Sequence, residues 1–181
     1  MSGRYELRFS GAGGQGLILA GVIMAEAASI YDGKQAVQSQ SYGPEARGGA
    51  SKSEVVISDS PIDYPKATKV DALLALTQEA CDKYSHDLKE GGVLLIDSDL
   101  VTREPKGNFK VTKFNITNTA KHEVGREIVT NIVALGAMVA LTGIVTKESA
   151  EKAVLARVPE AFLELNKKAF NLGYEKALSS K

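Results

Sequence analysis

The chain has 181 residues, 44% of them hydrophobic and 6% aromatic, with no tryptophan; this suits one compact domain over residues 1–181 with a mainly aliphatic core. Its 22 basic residues balance 22 acidic ones, so it lacks the basic field that nucleic acid or an acidic membrane requires, although a local basic spot gripping one phosphate is compatible. A single cysteine, Cys81, excludes an intramolecular disulfide and a cysteine-held cluster, and fits a reducing, cytoplasmic setting.

The first residues, Met1 to Glu6, run straight into a strand pattern and lack a signal-peptide apolar region. Alternation over Tyr5 to Ser10 predicts a first strand. Apolar residues at helical spacing then run from Leu17 to Tyr31, with Gly33 as the stop. Short strands are expected at Ala36 to Ser39 and Ser51 to Ser58, separated by a loop too short for a crossover helix, so part of the sheet can be antiparallel. The apolar run Ala72 to Leu76 suits a buried strand. A helix over Gln78 to Lys89, stopped by Gly91-Gly92, precedes strands at Val93 to Ile96 and Lys110 to Phe114. Thr119 to Leu141 reads as one long helix, weakened at Gly125 and Gly136. Thr146 caps a helix to about Val158, and Pro159 starts the last one, to about Leu178. The apolar stretch from Ile132 to Val145 is too short to span a bilayer and reads as a buried helix. The fold class is therefore a three-layer α/β/α sandwich: a largely parallel or mixed sheet, a Rossmann-like start and a helical C-terminal third.

Gly11-x-Gly13-x-x-Gly16 matches the dinucleotide fingerprint and sits between a strand and a helix. Glycines let the backbone turn tightly and approach a ligand. The first-turn N–H groups and the helix dipole then favour an anion, by about 0.3–1 kcal/mol. A phosphate or carboxylate is the expected guest; a tight turn with no ligand is the competing reading. A nicotinamide site also wants an acid at the end of the second strand, where this chain has Gln38-Ser39-Gln40-Ser41, and no Lys-Ser or Lys-Thr follows the glycines as in a P-loop.

Ser41-Tyr42-Gly43-Pro44-Glu45-Ala46-Arg47-Gly48-Gly49 combines a rigid proline, glycines, an arginine and an aromatic hydroxyl in one turn. Arg47 can pair a carboxylate or phosphate through two parallel hydrogen bonds, or form an interface ion pair, and Tyr42 can stack on a flat group. Coarse topology sets this loop beside the glycine loop. The two loops at this spacing, Gly11-x-Gly13-Gly14-Gln15-Gly16 and Ser41-Tyr42-Gly43-Pro44-Glu45-x-Arg47-Gly48-Gly49, resemble the gamma subunit of 2-oxoacid:ferredoxin oxidoreductases. The resemblance continues through Ser53 to Ser58, Ile96-Asp97-Ser98 and Asn131 to Gly143, and the second loop is most like the 2-oxoglutarate type.

That resemblance implies one subunit of an assembly, inactive alone, working with alpha, beta and delta subunits and with ferredoxin. The complex would use thiamine diphosphate, magnesium and iron–sulfur clusters, none bound by this chain alone, and coenzyme A would take the acyl group. The gamma chain would help seat coenzyme A with Gly11, Gly13, Gly14, Gln15 and Gly16 and with Tyr42, Gly43, Pro44, Glu45, Arg47 and Gly48; Lys52 is a further anion contact to consider, against a solvated strand lysine. No catalytic acid or base and no metal ligand is required of it. A 2-oxoisovalerate, pyruvate or indolepyruvate enzyme and a freestanding nucleotide-binding protein are the alternatives, and an isolated chain can homodimerise through surfaces meant for other subunits. His86 and His122 lack a second ligand at metal spacing. Cys81 lacks a nearby histidine and reads as a small buried residue. Asp97 and Asp99 read as turn residues. Asn131 either contacts a partner or bonds locally.

Overall fold

Strand β1, Tyr5–Ala12, sits at the centre of a six-stranded sheet of order β2-β3-β1-β4-β5-β6. The computed structural model describes residues 3–41 and 49–180. On one side β1 pairs antiparallel with β3, Ala50–Ser58, which pairs antiparallel with β2, Gln35–Ser41. On the other side β4, Val70–Ala75, β5, Leu88–Asp97, and β6, Lys110–Phe114, run parallel to it. The mixed sheet follows from the short β2–β3 connection, which permits only a hairpin. Strand β1 extends two residues past its expected end because Gly11 and Ala12 pair with Ser51 and Ala50.

Helices cover both faces. Helix α1, Leu17–Glu26, continues into a π-helical turn at Ala27–Tyr31 and ends at Gly33, whose φ is +67°. With α4, Thr130–Thr142, α5, Lys147–Arg157, and α6, Leu163–Ser179, it covers one face and builds the larger apolar cluster. Helix α2, Gln78–Tyr84, covers the other face over a smaller cluster around Leu73, Leu94 and Ile96. No described helix is long and apolar enough to cross a membrane.

Two expected helices are shorter than the periodicity implies. Helix α2 is capped by Thr77, whose Oγ1 accepts from Ala80 N at 3.2 Å, but stops at Tyr84 rather than Lys89. A 3-10 turn at Ser85–Asp87 intervenes, and Leu88 already pairs with Val70. Gly91-Gly92 does not stop the helix; it forms an irregularity inside β5, where Gly91 has φ +71° and donates to Asn108 O at 2.7 Å. The second correction concerns Thr119 to Leu141, which is not one helix. A short turn α3, Ile116–Asn118, and a π-helical turn, Thr119–Val124, end at Gly125. Its φ of +101° lets Gly125 N and Arg126 N both reach Ala120 O, a helix-ending arrangement, before a 3-10 turn at Glu127–Val129 starts α4.

Helix α4 is buried from Thr130 through Val139, apolar nearly all round, as a core helix must be. Burial of each of Ile132, Val133, Leu135 and Met138 stabilises by about 1.5–3 kcal/mol. Helices α4 and α6 meet backbone to backbone. A methyl group at Gly136 would collide with Phe170 O, and one at Gly173 with Val133 O. Gly136 thus permits this close approach, whereas Gly125 and Gly143 serve as helix ends with positive φ.

Candidate functional site at the glycine loop

Gly13 to Gly16 turns the chain from the end of β1 into α1. The turn is closed by Ala12: its O accepts from Gln15 N at 3.4 Å and its N donates to Gln15 Oε1 at 2.7 Å. Gln15 thus clasps the loop from within. Gly11 is required because a methyl there would collide with that same Oε1. Gly14 and Gly16 have φ of +86° and +74°, a region that L side chains rarely adopt. Gly13 is different: it has no positive φ, and a Cβ built on it meets nothing within 4 Å. Its missing side chain leaves open space over the loop.

Helix α1 begins at Gly16 with no side-chain cap and no acidic residue in its first turn. Its leading N–H groups are left for solvent or a ligand, as an anion site needs. The loop's position is set by Asn131, buried on α4, whose Nδ2 donates to Gly16 O at 3.1 Å across 115 residues of sequence. Asn131 is therefore not bonded locally. It ties α4 to the glycine loop, a role that no local signal in the sequence marks.

Two cavities flank Gly14. The larger, about 450 Å³, lies between the loop and helices α1, α4 and α6, with mainly apolar walls. The smaller, about 310 Å³, reaches Gln15, Thr117 and Thr130. Ile128, 82% exposed, stands between them. A cavity of about 630 Å³ lies at the other end of the sheet, beside His86 and Lys106, remote from the glycine loop.

Tyr42, Gly43, Pro44, Glu45, Arg47 and Gly48 lie outside the described residues. Their described flanks are Ser41, at the end of β2, and Gly49, preceding Ala50, which pairs with Ala12. Strand β3 separates β2 from β1, so the end of β2 is not the immediate neighbour of the glycine loop; the start of β3 is. In a dinucleotide fold the ribose-binding acid sits at the end of a second strand that runs parallel beside the first. Here an antiparallel strand occupies that place, and the residues nearest the loop are Ala50, Ser51 and Lys52.

Lys52 is engaged within the chain. Its Nζ donates to Glu54 Oε1 at 2.8 Å and lies 5.6 Å from the Tyr84 ring centroid. Arg8, 2% exposed, donates through Nε to Glu54 Oε1 at 2.9 Å and pairs with Asp87 Oδ2 at 2.7 Å. Tyr84 lies 5.2 Å from the Arg8 guanidinium and donates its hydroxyl to Ala50 O at 3.2 Å. This balanced network fixes the start of β3 against β1 and α2.

Cys81 and Asp97 have structural places. Burial, then Asp82 and Glu104, push the Cys81 thiol up to about 11, so it is no nucleophile at neutral pH. Asp97, fully buried at the end of β5, accepts from Thr117 N at 2.7 Å, Thr117 Oγ1 at 2.6 Å and Asp99 N at 3.0 Å. Among the described residues no group of three or more His, Cys, Asp or Glu is placed to hold a metal ion.

Residues 6–176 match the family model of pyruvate ferredoxin/flavodoxin oxidoreductase. The subunit KorC of 2-oxoglutarate synthase from Methanocaldococcus jannaschii is 58% identical over 96% of this chain and 94% of that protein. The crystal structure of the keto/oxoacid ferredoxin oxidoreductase gamma subunit from Geobacter sulfurreducens PCA superposes with a TM-score of 0.94 and 80% identity, covering 99% of both chains. A more distant neighbour, 21% identical with a TM-score of 0.85, is the 2-oxoglutarate:ferredoxin oxidoreductase from Magnetococcus marinus with 2-oxoglutarate, coenzyme A and succinyl-CoA bound; it shares the fold over 98% of this chain and 32% of its own. The chain belongs to the pyruvate ferredoxin/flavodoxin oxidoreductase family, in its gamma-subunit form.

Proposed function

We propose that this chain is the gamma subunit of a 2-oxoglutarate:ferredoxin oxidoreductase and that its glycine loop helps seat coenzyme A. The complex would convert 2-oxoglutarate, coenzyme A and oxidised ferredoxin into succinyl-CoA, carbon dioxide and reduced ferredoxin. The substrate assignment is supported by the 58% identical relative, a subunit of 2-oxoglutarate synthase. Thiamine diphosphate with magnesium, and the iron–sulfur clusters, would be held by alpha, beta and delta subunits. Decarboxylation and electron transfer belong to those groups, while this single gamma-type domain supplies binding and positioning.

The observation that carries the coenzyme A role is the open space above Gly13, next to an uncapped helix start. Gly11, Gly14 and Gly16 are explained by internal geometry; Gly13, which no internal contact or positive φ demands, leaves room for an external group. Oxygen-rich phosphate suits N–H donors aligned with a helix dipole. The test is Gly13→Val in the assembled complex. The valine Cβ meets no protein atom within 4 Å, and its methyl groups would intrude on the space a ligand needs. The Michaelis constant for coenzyme A should rise by about tenfold or more, with that for 2-oxoglutarate unchanged. An unaltered coenzyme A constant would sink the seat. Failure of the tagged chain to bring down a cluster-containing, 2-oxoglutarate-oxidising complex would sink the subunit assignment.

A further inference from the structure

We infer that the outer edge of β2 is a self-association surface: two copies of this chain pair their β2 strands antiparallel, about a two-fold axis at Gln38, and continue the sheet from one molecule into the other. The inference is independent of the coenzyme A reading. Strand β2 ends the sheet, and no described strand lies beyond it. The outward backbone groups of such an edge are a template for another strand.

The two edges of the sheet are built differently. Strand β6, at the other end, is five residues long and carries two exposed lysines, Lys110 and Lys113, charges of the kind that keep foreign strands away. Strand β2 is seven residues long, has no charge and no proline, and pairs with β3 without a break from Gln35 to Ser41. The charges flanking it are engaged within the chain: Asp32 with Thr146 and Ser149, Lys34 Nζ with Ile144 O at 2.6 Å, and Lys52 with Glu54. This edge is therefore both bare and neutral.

A neutral edge suits its own copy. Across a two-fold axis the same patch meets itself, so any charge near the axis would face its own image; β2 has none to repel. With the axis at Gln38, Gln35 pairs with Ser41, Ala36 with Gln40 and Val37 with Ser39, so that the whole strand is used. Gln38 is anchored toward α1: its Nε2 donates to Ser53 Oγ at 2.9 Å, and a Cβ on Gly21 would lie 3.5 Å from its Cγ. Val37 and Ser39 therefore project from the opposite face, each across from the other in the second molecule. The turn that leads into β2 exposes two apolar side chains, Ile30 at 66% and Tyr31 at 39%, which the second molecule can cover. One strand pair of about 23 Å with these flanks is a small interface, so the dissociation constant should be micromolar, about 1–100 µM.

The test is analytical ultracentrifugation of the purified full chain at about 1–200 µM, comparing wild type with Val37→Lys and Ser39→Val, with circular dichroism confirming that each variant is folded. Val37→Lys sets two like charges on one face beside the axis and should weaken the dimer at least about tenfold. Ser39→Val sets valine opposite valine twice and should tighten it about threefold to tenfold. Amide exchange in residues 35–41 should slow as concentration rises. A wild type that stays monomeric throughout overturns the inference, as does a dimer whose constant neither variant moves. If the wild type is monomeric alone and Val37→Lys blocks its capture into the assembled complex, the edge receives a strand of another subunit, and pairing with a second copy is overturned.

Discussion

Gly13 and Gly16 lie three residues apart in one motif, yet the structure assigns them opposite requirements. Gly16→Ala places a side chain at φ +74°, which costs about 1–2 kcal/mol. Its Cβ would also stand 2.5 Å from Asn131 Nδ2, so the Asn131–Gly16 O hydrogen bond must shift or break, at about 1 kcal/mol. The sum is about 2–3 kcal/mol, which for a chain of this size lowers Tm by about 4–12 °C. Gly13→Ala meets no atom within 4 Å and has no positive φ, so it should be neutral or stabilise by about 0.4–1 kcal/mol through the unfolded chain. Thermal unfolding followed by circular dichroism on the two purified variants is the assay. Equal losses in both would refute the division between a glycine demanded by the fold and one the fold does not require.

Gly136→Ala and Gly173→Ala each push a methyl group into a backbone carbonyl of the facing helix, which cannot rotate aside; urea denaturation should show a loss of about 1–3 kcal/mol or more for each. Asp32 accepts from Thr146 N and Oγ1 and from Ser149 Oγ, tying the start of α5 to the end of the first helical segment. Burial pushes its carboxyl up, but the Ser149 and Thr146 hydrogen bonds outweigh this and hold it below its ordinary value. A depressed carboxyl contributes stability above the ordinary carboxylate range and loses it as pH falls through the folded value. Asp32→Asn should therefore cost about 1 kcal/mol at neutral pH, and the Tm gap from wild type should close below about pH 4. Arg8→Ala should cost about 3–5 kcal/mol by stripping buried Glu54 of its main partner, and Arg8→Met with Glu54→Leu should recover most of it. Equilibrium denaturation that finds the double variant no better than the single one would contradict that account.

The strands were legible because period-two alternation and apolar runs survive in short windows, and loop length alone allowed for an antiparallel part of the sheet. What alternation did not reveal was the environment of the polar face. Glu6, Arg8 and Ser10 alternate with Leu7 and Phe9 as if one side of β1 met water, yet all three are buried. Ser10 Oγ donates to Leu74 O at 2.6 Å, Arg8 finds Glu54, and Glu6 accepts from Thr68 N at 2.7 Å. Period two is a property of the strand, whereas burial depends on what packs over it. Helix lengths were overread at Lys89 and at Gly125 for a related reason: apolar spacing persists through 3-10 and π-helical turns, and only pairing partners far along the chain show where a helix yields. The glycine motif was legible as a turn, but the Asn131 tie was not, since its partner, Gly16 O, is reached only once α4 folds against α1.

The antiparallel placement of β3 has an evolutionary consequence. A parallel crossover at this point would carry a helix across the sheet, and its length would be bound to the sheet's geometry. An antiparallel neighbour needs no crossover; its described ends here are Ser41, paired with Lys52, and Ala50, paired with Ala12. The glycine turn and the start of β3 are thus joined by backbone pairing, which depends on no particular side chain, so neighbouring residues can change without refolding the turn.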